Sequence, residues 1–337
     1  MVEDFSVAAS SRAKKYSSIK YTLSILDTIY ELLLLWVFLG TGLSRGLAEL
    51  IVKFTDNSLI IVPVYVLIIS CAYYCLSFPE NFYRSYVLEH KFSLSTQKIS
   101  DWLLDQVKAG AISYVISIIL IGAFYYILGS FSGTWWLVIS ILWICFSLIF
   151  ARLTPIVIIP LFFKYKKLSD DTLRARIMNL ADKMKVKILD CFEIDFSKKT
   201  LKANAAFVGM GATRRVILAD TLKDKYSYDE IEVILAHEFA HYKLKHLSKL
   251  IFVSSIAIII SFYLIFKTSG SLLHFFGLAS LSDIAALPVI LVYFFLFGII
   301  TRPFENYISR RLETNADKMA LEVTGQRGAF MSMMDKL

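Results

Sequence analysis

The chain has 337 residues, of which 57% are hydrophobic and only 19% charged, with a net charge of +8 and a mean hydropathy of +0.61. That composition excludes an ordinary soluble enzyme and describes a membrane protein. The positive charge invites a nucleic-acid reading, but no arginine-rich helix or RNA-binding motif stands out and membrane proteins collect Lys and Arg on cytoplasmic loops, so no nucleic-acid partner is expected.

Six apolar segments reach the length of about 20 residues that a helix needs to cross a bilayer. They lie near 23–43, 59–78, 111–129, 135–151, 250–266 and 284–300. The first run starts late, is long and lacks a cleavage site, so no cleavable signal peptide is expected. A further apolar stretch, Leu153 to Phe163, carries Pro155 and Pro160 and either prolongs the fourth span with kinks or dips into the interface. Of the four cysteines, Cys71, Cys75 and Cys145 lie in apolar segments, where a thiol is a small hydrophobe; with Cys191 they form neither a disulfide framework nor a zinc-finger spacing.

The connecting segments alternate in charge. The N-terminal arm carries Arg12, Lys14, Lys15 and Lys20, the loop 79–110 carries Arg84, Lys91, Lys98 and Lys108, and the regions 164–249 and 301–337 are rich in Lys and Arg. The segments 44–58, 130–134 and 267–283 are nearly bare. Both termini and the segment 164–249 are therefore expected on the cytoplasmic side of an endoplasmic reticulum or prokaryotic plasma membrane. The expected organisation is four membrane helices with a cytoplasmic loop at 79–110 in residues 1–163, a cytoplasmic catalytic region at 164–249, two more membrane helices at 250–300, and a helix and tail at 301–337.

Within 164–249, an amphipathic helix is expected from Ser169 to Lys185. Between Val186 and Leu218, β-favouring runs (Val186-Lys187-Ile188 and Arg215-Val216-Ile217-Leu218) alternate with turn residues, including Gly209 and Gly211, and predict a small sheet or hairpin. A helix is expected from Tyr228-Asp229-Glu230, where acidic residues suit an N-terminus. The fold class is thus an all-α polytopic membrane protein whose cytoplasmic domain contains a small β-sheet.

Residues 237–241 read His-Glu-Phe-Ala-His. Positions i and i+4 share a helix face, so His237 and His241 can both address one metal ion, with Glu238 beside it as a general base. Zinc suits nitrogen and oxygen ligands with an open fourth position and lowers the pKa of a water to about 7. A catalytic zinc needs a third protein ligand. His246 is five positions past His241 and on a continuous helix points away, as a solvated or interfacial histidine. His274 falls in a segment on the opposite side of the membrane. Glu313, in the helical stretch Ser309 to Asp317, is separated from His241 by two spans, and two crossings return the chain to the same side. Asp317, one turn further, can accept a hydrogen bond from a ligating histidine. The expected site is therefore one zinc ion per chain on His237, His241 and Glu313.

On these residues the chain resembles the integral-membrane CAAX prenyl protease type 1 family, a gluzincin-type metalloprotease group. The resemblance rests on Leu235 through His241, on Ser309 through Glu313 with Ala316-Asp317, on Lys202 through Gly209 followed by Arg215 through Leu222, and on Phe82 through Phe92. It implies a ring of about six transmembrane helices around an internal chamber, with the zinc site at its cytoplasmic end. It also implies removal of the last three residues from a prenylated C-terminus, and an Asn204-Ala205 strand that pairs with the substrate backbone. The family in eukaryotes usually has seven spans, and it carries a downstream histidine, thought to help stabilise the oxyanion, that nothing in residues 314–337 matches. Two other readings stand beside this one. The first is an HtpX-like membrane quality-control protease of broad specificity. The second is a zinc-stabilised membrane scaffold without hydrolysis, for which Glu238 has no use.

Overall fold

The computed structural model describes residues 2–209 and 214–336, so Gly211 lies outside the described residues. In chain order the elements are helices α1 (Val2–Gly40), α2 (Leu43–Val52), α3 (Ser58–Phe82), α4 (Leu88–Lys91), α5 (Ile99–Ser130) and α6 (Trp135–Leu153), then strand β1 (Tyr165–Lys167) and helix α7 (Asp171–Lys183). Strands β2 (Asp190–Ile194), β3 (Ala205–Val208) and β4 (Arg215–Ala219) follow, and then helices α8 (Asp220–Lys225), α9 (Tyr228–Lys243), α10 (His246–Phe275), α11 (Leu287–Thr324) and α12 (Arg327–Lys336).

Among the described residues, six helices are long and apolar enough to cross a membrane: Arg12–Gly40, Ser58–Lys91, Ile99–Ser130, Trp135–Leu161, His246–Phe275 and Ile284–Thr324. Five of them contain an expected span whole and overrun it, while the first ends at Gly40, short of the expected end at 43, and overruns its span at the N-terminal side. A charged residue ends a hydropathy window without ending a helix, because Lys, Arg and Glu are good helix formers. α3 passes through a π-turn at Tyr83–Val87 directly into α4, and α5 begins at Ile99. The loop expected at 79–110 is therefore reduced to residues 92–98. The bare segment 44–58 contains the amphipathic α2, and the first half of segment 267–283 belongs to α10. After Leu153 the chain continues as a π-turn and a short 3-10 turn through Pro155 and Pro160, which is the kinked prolongation of the fourth span.

The chain forms two compact units. The first comprises residues 1–142 and 258–300. Its core gathers Tyr65 and Val66 of α3, Phe262 and Ile265 of α10, and Val289 and Ile290 of α11, all nearly inaccessible. Several polar groups in it are paired, which lowers the cost of placing them in an apolar medium. Ser44 donates to the Ala285 carbonyl at 2.6 Å and sits 2.7 Å from the Tyr65 hydroxyl. Arg84 pairs with Asp27 at 2.9 Å, and Lys20 with Glu89 at 2.9 Å. In the Phe82–Phe92 stretch, Phe82 and Tyr86 stack one helical turn apart and both meet Trp102 edge-on, while Trp102 Nε1 donates to Ser85 Oγ at 3.1 Å.

The second unit comprises residues 143–257 and 301–337. It holds a four-stranded mixed sheet in the order β1-β2-β4-β3. β3 pairs antiparallel with β4 (Ala206 opposite Ile217), β2 lies parallel to β4 on its other side, and β1 pairs antiparallel with β2. The strand expected at Val186–Ile188 instead starts at Asp190: Val186 closes the end of α7 by donating from its backbone to the Ala181 carbonyl at 2.8 Å. β1, only three residues long, is too short to leave a pattern in the sequence. Leu173, Ile177 and Leu180 of α7, with Met184 just past its end, share a core with Val216 and Leu218 of β4 and with Ile231, Leu235 and Phe239 of α9. At about 25 cal/mol per Å² of apolar area, burying each such Leu or Ile stabilises the fold by roughly 1.5–3 kcal/mol.

Candidate metal centre

α9 begins where Ser227 and Glu230 cap each other: the Ser227 hydroxyl accepts from the Glu230 backbone, and the Glu230 carboxylate accepts from the Ser227 backbone at 2.7 Å. This reciprocal cap satisfies two of the N–H groups that a helix start leaves unpaired. It also fixes the phase of the helix, so that Leu235, Ala236, Phe239 and Ala240 face the core with no exposure and His237, Glu238 and His241 fall on the remaining arc. On α11, Ala316 and Ala320 are fully buried in the same core. Small side chains at that four-residue spacing permit close backbone approach, and Glu313 and Asp317 are carried up against the histidines.

His237 Nε2 and His241 Nε2 lie 2.9 Å apart. Oε2 of Glu313 lies 3.2 Å from the first and 3.4 Å from the second. The three groups are the ones among the described residues that could hold a metal ion, with their ligand atoms within 4.8 Å of one another. Oδ1 of Asp317 lies 2.8 Å from Nδ1 of His237. The structure thus brings His237, His241, Glu313 and Asp317 together.

Burial pushes the Glu238 carboxyl above its ordinary range, the negative charge of Glu313 adds to the shift, and His237 opposes it. Burial also lowers the pKa of His241, and the neighbouring His237 lowers it further against the pull of Glu313. A neutral imidazole is the form that offers a lone pair.

Asn204 and Ala205 stand apart from this cluster. Asn204 is exposed, with its carbonyl accepting from the Ala219 backbone at 2.9 Å, and Ala205 opens β3 opposite Leu218. β3 pairs with β4 on one side and, among the described strands, has no neighbour on the other. It is tied to α9 by Phe207, whose ring meets Phe239 at 5.2 Å and Tyr242 at 5.4 Å. An unpaired strand edge therefore lies along the histidine helix.

The expectation for His246 is overturned. It is buried, with 1% of its surface exposed, and its Nδ1 lies 3.0 Å from Nδ1 of His241. The expectation assumed one continuous helix. In fact α9 ends at Lys243, Lys245 adopts a left-handed conformation (φ 55°), and His246 opens α10. That change of direction turns the ring back toward His241. No glycine marks the break, which is why spacing alone missed it.

Comparison with known proteins bears on the identity of this site. Residues 167–337 match the model of peptidase family M48, and residues 2–164 match the model described as the CAAX prenyl protease N-terminal region with five membrane helices. The chain belongs to peptidase family M48. This M48 peptidase is 29% identical to YhfN of Bacillus subtilis, described as an uncharacterized metalloprotease, over 96% of the present chain and 77% of that protein. It is 26% identical to CAAX prenyl protease 1 of Saccharomyces cerevisiae, over 96% of this chain and 78% of the yeast protein. The crystal structure of Ste24p from S. mikatae superposes with a TM-score of 0.81 at 25% identity, covering 96% of this chain and 81% of that one. With its membrane helices, the M48 peptidase is an integral-membrane metalloprotease of the CAAX prenyl protease 1 family, and its substrates are peptides.

Proposed function

We propose that this M48 peptidase binds one zinc ion per chain on His237, His241 and Glu313 and removes the C-terminal tripeptide of prenylated CAAX-type substrates on the cytoplasmic face of the membrane. The observation that carries the reading is the convergence of three lone-pair donors. The bond between His237 Nδ1 and Asp317 puts the histidine's proton on Nδ1 and leaves Nε2 bare, facing a carboxylate oxygen and a second imidazole nitrogen. With His241 Nε2 bare as well, the three lone pairs repel one another, and a cation between them relieves the repulsion. Tetrahedral zinc with bonds of about 2.0–2.1 Å to nitrogen and oxygen sets its ligand atoms about 3.3 Å apart. The two separations to Glu313, 3.2 and 3.4 Å, match that spacing, and the two histidine nitrogens stand somewhat closer, at 2.9 Å.

A zinc ion bound there supplies Lewis-acid polarisation of the scissile carbonyl and lowers the pKa of a water. The chain's own residues supply the rest. Glu238, adjacent to the first ligand and raised in pKa by burial, takes the proton of the attacking water on its carboxylate and delivers it to the nitrogen of the leaving amine. Asp317 holds His237 in the Nδ1–H tautomer. The free edge of β3, beginning at Asn204-Ala205, binds the substrate backbone as an added strand, which fixes the scissile bond relative to α9. In this reading residues 164–249 are the cytoplasmic catalytic region, and the stretch from 301 supplies the third ligand.

The substrate class is supported by the match to CAAX prenyl protease 1 of yeast across most of both chains. The test is cleavage of a farnesylated C-terminal peptide, beside the same peptide without the lipid, with and without a zinc chelator. Chelator-sensitive release of the tripeptide from the lipidated peptide alone supports the reading. Equal cleavage of both peptides points instead to a broad-specificity membrane protease of the HtpX-like kind.

A further inference from the structure

The two histidines of the metal centre are backed differently. His237 is held from behind by a carboxylate, whereas behind His241 stands a second imidazole. The rings of His241 and His246 have centroids 4.9 Å apart and are steeply inclined, at 82°, with the two Nδ1 atoms 3.0 Å from each other. Two nitrogens at that distance form one hydrogen bond, so a proton belongs to one of them and a lone pair to the other. If His246 donates, the neutral His241 keeps its remaining proton on Nε2, the atom that faces His237 and Glu313, and cannot ligate. If His241 donates, its Nε2 is bare and His246 carries its proton on its own Nε2.

That Nε2 is buried and has no hydrogen-bond partner among the described residues. A buried ring nitrogen left without a partner is uncommon and calls for a compensating role. A non-glycine residue held in the left-handed region is likewise disfavoured, and Lys245 is held there immediately before His246. Both unfavourable features serve one geometric result, the presentation of His246 Nδ1 to His241.

We propose that His246 is a positioning residue: it accepts the Nδ1 proton of His241, locks that ring in the tautomer and orientation that expose Nε2, and so raises the affinity of the site for its metal. The proposal rests on the reading of His241 as a ligand, and the experiment separates the two. The full-length protein in detergent is titrated with zinc against a chromophoric chelator, and the cobalt-substituted protein is examined by its visible ligand-field spectrum. His246→Phe keeps a buried planar ring and deletes the acceptor. His246→Asn places an amide oxygen near the position of Nδ1, whereas His246→Gln carries its oxygen one bond too far.

Expected are a 10–100-fold loss of zinc affinity and an altered cobalt spectrum in the Phe and Gln variants, with recovery to within a few-fold of wild type in the Asn variant. Wild-type affinity and an unchanged spectrum in His246→Phe overturn the proposal. If the Phe variant does not fold, the Asn and Gln pair decides, and equal affinities in those two overturn it as well. His241→Ala serves as the reference. Wild-type zinc binding in that variant overturns the ligand assignment itself, whereas loss of binding there with no effect at His246 overturns the positioning role alone.

Discussion

Asp317 Oδ1 and His237 Nδ1 are 2.8 Å apart although 80 residues separate them in the chain. The carboxylate accepts the ring proton, fixes the tautomer and raises the basicity of the opposite nitrogen. Asp317→Ala is expected to weaken zinc binding 10–100-fold while leaving the protein folded, because Asp317 is partly exposed. Competition with a chelator of known affinity measures the change. An unchanged affinity removes Asp317 from the metal centre.

Glu238→Gln keeps the size and hydrogen-bonding shape of the side chain but cannot take a proton. Peptide cleavage is expected to fall by about 10²–10⁴-fold, the usual contribution of a general base, with zinc still bound at one per chain. Metal analysis of the purified variant separates loss of the base from loss of the metal. Cleavage at the wild-type rate assigns proton transfer to another group.

Glu313→Gln replaces an anionic oxygen with a neutral amide at the third corner of the cluster. Zinc content is expected to drop well below one per chain after dialysis against a chelator that leaves the wild type loaded, and activity falls with it. A variant that retains zinc through the same dialysis sinks the assignment of Glu313 as a ligand.

Acid should weaken the second unit at a definite place. Glu230, 2% exposed, is raised in pKa by burial, but its bonds to Lys336, Ser332 and the Ser227 backbone outweigh this and bring it from 4.5 down to about 2. A carboxyl depressed in the folded state adds stability that is full above its unfolded value and fades as pH falls toward its folded one. The window is therefore about pH 4.5 down to about 2, and the contribution is roughly 3 kcal/mol. Denaturant unfolding in detergent at pH 7 and pH 3 should show about 2 kcal/mol of that loss in the wild type, because pH 3 still lies above the folded value, with the pH-dependent part reduced in Glu230→Gln. An equal acid sensitivity in the variant means the linkage lies elsewhere.

Much of this architecture is legible in the amino-acid sequence itself. Hydropathy finds all six spans, because lipid imposes a length and a composition that no loop imitates. The i, i+4 spacing of His237 and His241 implies a shared face, and counting crossings brings Glu313 to the side of the histidines. What fails to show has particular causes. α2 is short and half polar, so it reads as a loop. The ends of α3, α5 and α11 carry charges that hide continuing helix. β1 is defined by its partner β2 rather than by any pattern of its own. His246 is hidden by Lys245, where a residue with no preference for left-handed backbone is held there by the structure around it. Local propensity predicts a helix running through that point, and tertiary contacts override it.

The groups that converge on the metal centre are separated in the chain by α10 and by the apolar first part of α11, the helix on which Glu313 itself lies; both helices are long enough to cross a bilayer. The pair on α9 is made early, while the carboxylate that meets it follows only after α10 and the apolar first part of α11 have been synthesised. Until then a nascent chain offers at most two donors, a weak trap for any ion. Under the proposed ligand set, a chain in which Glu313 has not yet reached the histidines is expected to stay unloaded.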